Sequence, residues 1–362
     1  MLSSKHQWTI KRAWIVFLCL IIALIFLSLW FLRQQSPPSI PVDLYKSHIV
    51  GGFGINTSER AMRATTEGIQ VIFQYGNPPD EKSTLGRELQ SLHMKVVDGY
   101  IASYLHYYEC QRLSTMVLPL RGPNTYCGQN LYPTFASEDA FLTTIATHLQ
   151  QVKDNHLIIG YWTLDDWPRW DKGSGRQLLI KIHHLIKLYT PDHPAICGFG
   201  GNLTANRTFA WEDWIADNFS PQGCDEVGLY IYTLSIPMTS HLPSSEAYDW
   251  SMSKLLPAIF SSLHHRGWKI TKEPFIGIVQ AFGGPIAHTY AYRVAPTAKD
   301  IETQSRSFCE HKAIGLTFYG WADTVFVSTS QTPMNSNEIA LGIQRGIAAC
   351  IQYWNHHAGT GK

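Results

Sequence analysis

Apolar runs of six to eight residues alternate along the chain with segments whose apolar positions recur at helical spacing. The runs Ile49–Ile55, Ile69–Tyr75, Lys95–Ile101, Leu157–Leu164, Ala195–Gly200, Glu226–Tyr232, Phe275–Ala281 and Ile314–Trp321 predict eight strands. Their apolar residues are near-continuous rather than alternate, the pattern of strands buried on both faces in a parallel sheet. Helix start signals lie between them. Ser174-Gly-Arg-Gln177 has the form of a capping box, Ser137 precedes EDAFLTTIATHLQQV, Thr297 and Asp300 are spaced to cap each other, and Ser336 precedes the closing helical segment. Eight strand–helix units predict a single (β/α)8 TIM barrel over residues 46–358. A doubly wound sheet is the alternative. It lacks the expected G-x-G-x-x-G turn, because the GGFG of Gly51–Gly54 lies inside the first strand.

One segment breaks the alternation. Ala13–Leu32 reads AWIVFLCLIIALIFLSLWFL, 20 residues without a charge. At about 1.5 Å per residue it spans roughly 30 Å, the hydrocarbon thickness of a bilayer. Lys5, Lys11 and Arg12 precede it and Arg33 alone follows, so the positive-inside rule leaves residues 1–12 in the cytoplasm and exports the rest. The expectation is a single transmembrane anchor over 13–32, with a cleaved signal peptide and secretion as the alternative. Residues 33–45, with Pro37, Pro38 and Pro41, then form a stiff spacer ahead of the barrel.

Composition narrows the function. Of 362 residues, 45% are hydrophobic and 16% charged, which excludes disorder; the net charge of +1 lacks the basic surplus of a nucleic-acid binder. The barrel is expected to be monomeric, without cofactor, and without structural metal, since neither C-x-x-C nor H-x-x-x-H spacing occurs. Six cysteines follow the apolar run. Cys110 and Cys127 bracket a polar loop and are expected to bridge, whereas Cys197, in an apolar stretch, reads as a buried thiol. Glycosylation sequons stand at Asn56, Asn202, Asn206 and Asn218. The 12 Trp and 17 Tyr are many for this length and suit either an aromatic core or a site for flat, partly apolar ligands such as sugars.

In a TIM barrel the site is built at the C-terminal ends of the strands. Those ends carry Gln74 and Tyr75, then Asp98, then Trp162 through Asp165, Asp166 and Trp167. Further on come Tyr230 and Tyr232, then Gln280, then Tyr319, Trp321 and Asp323. Carboxylates among tryptophans and tyrosines suit carbohydrate, because rings stack on sugar faces and acids bind hydroxyls. Glycoside hydrolysis needs two such carboxyl groups across the scissile bond.

The stretch IIGYWTLDDWP, residues 158–168, resembles the fourth-strand signature of glycoside-hydrolase-like TIM barrels, and IGIVQAFGG, residues 276–284, resembles their seventh-strand segment. The resemblance implies a carbohydrate ligand and places the acid/base carboxylate at Asp165 or Asp166. Two departures limit it. Asp replaces the usual Glu, and Gln280 stands where retaining enzymes of this kind carry a nucleophilic Glu; an amide cannot be that nucleophile. An inverting arrangement is therefore expected, with Asp166 as acid and Asp98 or Asp323 as base, and Asp165 turned away or paired with arginine. Trp162, Trp167, Tyr230, Tyr232, Gln280 and Trp321 are the expected substrate contacts. Asp98, Asp166, Gln280 and Trp321 are expected to share one cleft. The competing readings are a catalytically inactive carbohydrate-binding barrel and a purely structural one whose acids are salt-bridged.

Overall fold

The computed structural model describes residues 48–358 apart from 116–132, 166–173, 201–217, 233–243, 286–291 and 324–325. Its centre is a closed barrel of eight parallel strands. They are β1 (Ile49–Phe53), β2 (Val71–Tyr75), β3 (Lys95–Gly99), β4 (Ile158–Leu164), β5 (Ala195–Gly200), β6 (Glu226–Ile231), β7 (Phe275–Gln280) and β8 (Gly315–Tyr319). Each pairs with its sequence neighbour, and β1 closes the barrel on β8, with Ile49 opposite Gly315 and Phe53 opposite Tyr319. All eight expected strands are present; Ala195–Gly200 keeps its full expected length and the other seven are one to three residues shorter than their apolar runs.

Helices fill the connections. Those described are α1 (Ser58–Thr66), α2 (Thr84–Ser91), α3 (Tyr100–Thr115), α4 (Glu138–Val152), α5 (Ser174–Tyr189), α6 (Ser244–Trp250), α7 (Leu256–His265), α8 (Ala298–Glu310) and α9 (Asn337–Ala358); a π-turn over Ser251–Leu255 joins α6 to α7. Three expected caps form. Ser137 accepts from the Ala140 amide, Thr297 and Asp300 make a full capping box, and the Ser336 hydroxyl accepts from the Ile339 amide. Each meets a backbone donor that the helix itself leaves unpaired.

Alternation along each strand decides which side chains enter the barrel. Phe53, Val71, Phe73, Val97, Trp162, Ile196, Tyr230, Ile276 and Ile278 form one buried interior cluster. The largest of these is Trp162. A Cβ placed on Gly198 would come within 2.2 Å of its ring and one on Gly228 within 2.4 Å, so β5 and β6 carry glycine where β4 carries tryptophan. The ring meets Phe53 and Phe73 edge-on at 5.4 and 5.5 Å.

Two disulfides are found among the described residues. Cys197 on β5 is bonded to Cys224, and Cys309 on α8 to Cys350 on α9. This corrects the reading of Cys197 as a free thiol. Its apolar surroundings are those of a buried cystine, since a disulfide is as apolar as the side chains around it. Cys127 and the side chain of Cys110 lie outside the described residues, and so does the expected bridge between them. Paired cysteines point to an extracellular or secreted setting. Asn218 is fully buried, so its sequon offers no site for a glycan in the folded chain. Among the described residues no helix is long and apolar enough to cross a membrane; the run 13–32 falls outside them.

Two carboxyl groups sit where their charge is disfavoured. Burial raises Glu67 to about 7 against the pull of Arg63, whose Nε lies 2.8 Å away. Burial, and then the Asp225 anion, raise Glu226 to about 7, and its Oε2 is buried without a hydrogen-bond partner among the described residues. The neighbouring Asp225 goes the other way. Burial raises it, but hydrogen bonds from His183, the Ala195 amide and Lys187 outweigh that and lower it to about 2. Between about pH 4.5 and 7 the folded chain therefore holds protons on Glu67 and Glu226 that the unfolded chain has lost. The stability that they contribute is full below this window and is lost as pH rises through it. His48, lowered by burial, acts in the opposite sense. Glu226→Gln should leave the melting temperature nearly unchanged at pH 4.5 and raise it progressively up to pH 8. A gain that is equal at both ends of that range would show that the carboxyl does not titrate as described.

Candidate functional site

The C-terminal mouth of the barrel is lined by tyrosines from three strands. Tyr75 ends β2, Tyr230 lies on β6 with Tyr232 just past its end, and Tyr319 ends β8; all four pack on the interior cluster or belong to it. Their rings are in mutual contact. Tyr230 meets Tyr232 at 5.6 Å and nearly perpendicular, Tyr232 meets Tyr319 at 5.8 Å, and Phe53 lies 5.6 Å from both Tyr75 and Tyr319. Aromatic packing of this kind, edge-to-face, tilted and stacked, holds the rings and leaves the hydroxyls to aim at polar partners.

Two carboxylates receive those hydroxyls. Asp165, just past β4, accepts from the Tyr230 hydroxyl on Oδ1, and the Trp162 Nε1 donates to the same oxygen at 3.4 Å. Asp323, after β8, accepts from the Tyr319 hydroxyl on Oδ2. The Tyr230 and Tyr319 rings are 6.4 Å apart, so the two acids are reached from one aromatic cluster. The Tyr75 phenol is raised well above its ordinary value by burial, with the Asp165 charge adding to the effect. It stays a neutral hydroxyl at any physiological pH.

The expected site is brought together only in part. Asp165 does not turn away to an arginine; it faces the mouth, held by Tyr230 and Trp162. Gln280 ends β7 on the interior face, in register with Tyr319. Asp323, Tyr230 and Tyr232 also belong to the mouth. Asp166 and Trp167 lie outside the described residues. The remaining assignments need correction. Asp98 is on the outer face of β3, opposite Tyr161 rather than Trp162, and is fully buried against α4. Its Oδ2 is 2.7 Å from His148 Nε2 and its Oδ1 accepts from the Tyr100 amide, so this acid anchors helix to strand and does not enter the mouth. The His148 ring is stacked at 3.7 Å on Tyr100, which completes a buried outer-layer pair.

Neither Trp162 nor Trp321 presents an exposed ring face as a sugar platform. Trp162 fills the barrel centre, 1% exposed. Trp321 folds back over the outer side of β1, where a Cβ on Gly52 would come within 2.6 Å of its ring, and it is 2% exposed. Buried rings of this kind offer no face for stacking. Tyr75 and Tyr319 were visible as strand ends, and their inward parity with Phe73 and Phe53 is the signal that places them in the site. Among the described residues no cluster of three His, Cys, Asp or Glu side chains could hold a metal.

An eight-stranded parallel barrel with carboxylates and aromatic rings gathered at its C-terminal mouth is a (β/α)8 TIM barrel with its polar groups where such barrels build their sites. Among solved structures, the β-galactosidase from the psychrophilic Marinomonas ef1 matches with a TM-score of 0.53 at 10% identity, over 86% of this chain and 60% of its own. The β-glucuronidase from Ruminococcus gnavus matches with a TM-score of 0.49 at 10% identity, over 85% of this chain and 49% of its own. The chain thus spans about half the length of the glucuronidase and somewhat more of the galactosidase. At such identity the likeness is one of fold. No family model and no curated protein matches the chain.

Proposed function

We propose that the chain is a membrane-anchored, extracytoplasmic carbohydrate-active barrel whose mouth binds a sugar chain and cleaves a glycosidic bond with inversion. The observation that carries this reading is the pair Asp165 and Asp323, both turned into a tyrosine-lined mouth from opposite sides of the barrel sequence. Inversion requires one carboxyl to protonate the leaving oxygen and another to activate water. Asp166 is the proton donor in this proposal, Asp323 the base, and Asp165 an anion that opposes the positive charge developing on the sugar ring. Gln280 argues against a covalent intermediate, since it replaces the strand-seven carboxylate such an intermediate needs. The apolar run 13–32 with its flanking charges supports the anchor, and the spacer 33–45 would hold the barrel clear of the bilayer.

The test is release of reducing ends from a panel of neutral, amino and acidic polysaccharides by the full chain. Asp323→Asn and Asp165→Asn should each lower turnover by about 100- to 10,000-fold, the range for acid–base groups, with melting temperatures close to the parent. Wild-type turnover in both variants would remove the assignment. The missing strand-seven acid also favours a second reading, a binding module without catalysis. Saturable polysaccharide binding with no product from any member of the panel would select it.

A further inference from the structure

Gln280 is more constrained than a mouth-lining amide needs to be. It continues the inward alternation of Ile276 and Ile278 and is fully buried. Its Nε2 donates to the Phe282 carbonyl at 3.1 Å and to the Val294 carbonyl at 3.0 Å. Its backbone amide donates to Gln304 Oε1 at 3.2 Å, and Gln304 donates in turn to the Ile231 carbonyl. Only a nitrogen can donate to two carbonyls, so the amide can sit only one way round. Its oxygen is then left over. Oε1 is buried and has no hydrogen-bond partner among the described residues. An amide oxygen stranded like this costs about 1–3 kcal/mol, a penalty that a bound donor would remove.

The site thus presents three acceptors: the carboxylates of Asp165 and Asp323, and this oxygen. We propose that Gln280 Oε1 accepts a hydrogen bond from the bound sugar and, with the two carboxylates, makes the mouth select neutral or amino sugars over uronic acids, which carry a carboxylate where the neutral sugar carries a hydroxymethyl donor. The proposal rests on the reading of the mouth as a sugar site. A uronate would bring a fourth acceptor, and a charge of the same sign, to groups that can only receive. Oε1 is covered in this structure, and the mutually packed rings of Tyr232, Phe282 and Tyr319 beside the end of β7 must shift to admit the ligand.

The experiment measures the affinity of the full chain for cellopentaose, a chitosan pentamer and penta-galacturonate. The acidic probe should bind at least about tenfold more weakly than the better of the other two, a difference of about 1.4 kcal/mol. Gln280→Met, similar in shape but without the acceptor, should weaken the favoured probe about tenfold and leave penta-galacturonate unchanged, which erases the selectivity. Gln280→Glu, protonated between the two carbonyls, keeps one donor and one carbonyl oxygen and should keep the preference. Equal or tighter binding of penta-galacturonate by the parent overturns the proposal. So does an equal weakening of all three probes in Gln280→Met, the signature of an amide that only clamps the segment 283–294. If no probe binds the parent, the sugar reading of the mouth falls and this proposal with it; the other two outcomes leave that reading standing.

Discussion

Trp162→Ala should lower the unfolding free energy by about 3–5 kcal/mol, the range for removing a large aromatic side chain from a core. The reason is its setting. The ring occupies the barrel axis against Gly198 and Gly228, and neither glycine has a side chain that could move into the space. Phe53, Phe73 and Tyr230 touch the ring edge-on and are themselves held by their neighbours, so the void collapses only in part. The substitution also removes the Nε1 donor from Asp165 Oδ1, an oxygen that Tyr230 also donates to. Chemical denaturation should therefore show a lower midpoint with an unchanged slope. The converse change, Gly228→Ala, should also destabilise, because its Cβ would sit 2.4 Å from the same ring. A loss below about 1 kcal/mol for Trp162→Ala would mean that the ring is not the interior plug described.

The second large effect concerns Asp98. Removing one partner of a buried pair leaves the other uncompensated, at a cost of about 3–5 kcal/mol. Asp98→Ala should reach that range, because it deprives both His148 Nε2 and the Tyr100 amide of their acceptor inside the helix–strand layer. Asp98→Asn, which can still accept from Tyr100, should lose less. Activity separates structure from chemistry here. On the proposed hydrolytic reading, at a temperature where Asp98→Asn is fully folded, turnover per folded molecule should match the parent, whereas Asp323→Asn should lose turnover while staying folded. A pH–rate profile displaced by Asp98→Asn would return this residue to the catalytic candidates.

The barrel was legible because its information is local. Eight near-continuous apolar runs and the caps at Ser137, Thr297 and Ser336 each state a preference that the packed fold keeps. The site was legible only to the level of strand ends. An acid or tryptophan one residue out of phase points to the helix layer instead of the mouth, and a one-residue slip separates Asp98 from the inward parity of Val97. A β-bulge shifts the register between β4 and β5 at Trp162–Leu164, so simple alternation does not carry from Trp162 to Asp165. Trp321 was misread for a related reason. It follows β8, but the chain turns back there and its amide donates to the Phe53 carbonyl, which carries the ring over Gly52. The cystine pairs were beyond sequence reasoning, since six cysteines permit 15 pairings and only the folded backbone brings particular pairs together.

Closure of β1 on β8 has a consequence for biogenesis. His48, just ahead of β1, bonds the carbonyl of Ile314 just ahead of β8, across 266 residues. The first strand to leave the ribosome, or to cross a membrane, must therefore wait for the last. Until then the nascent sheet carries two unpaired edges, each able to template misassociation. Cys309 and Cys350 both lie on helices that flank β8, so their covalent link joins the segments on either side of the final strand. An oxidant arriving late in maturation would act as a latch, locking the finished ring once the last strand has docked.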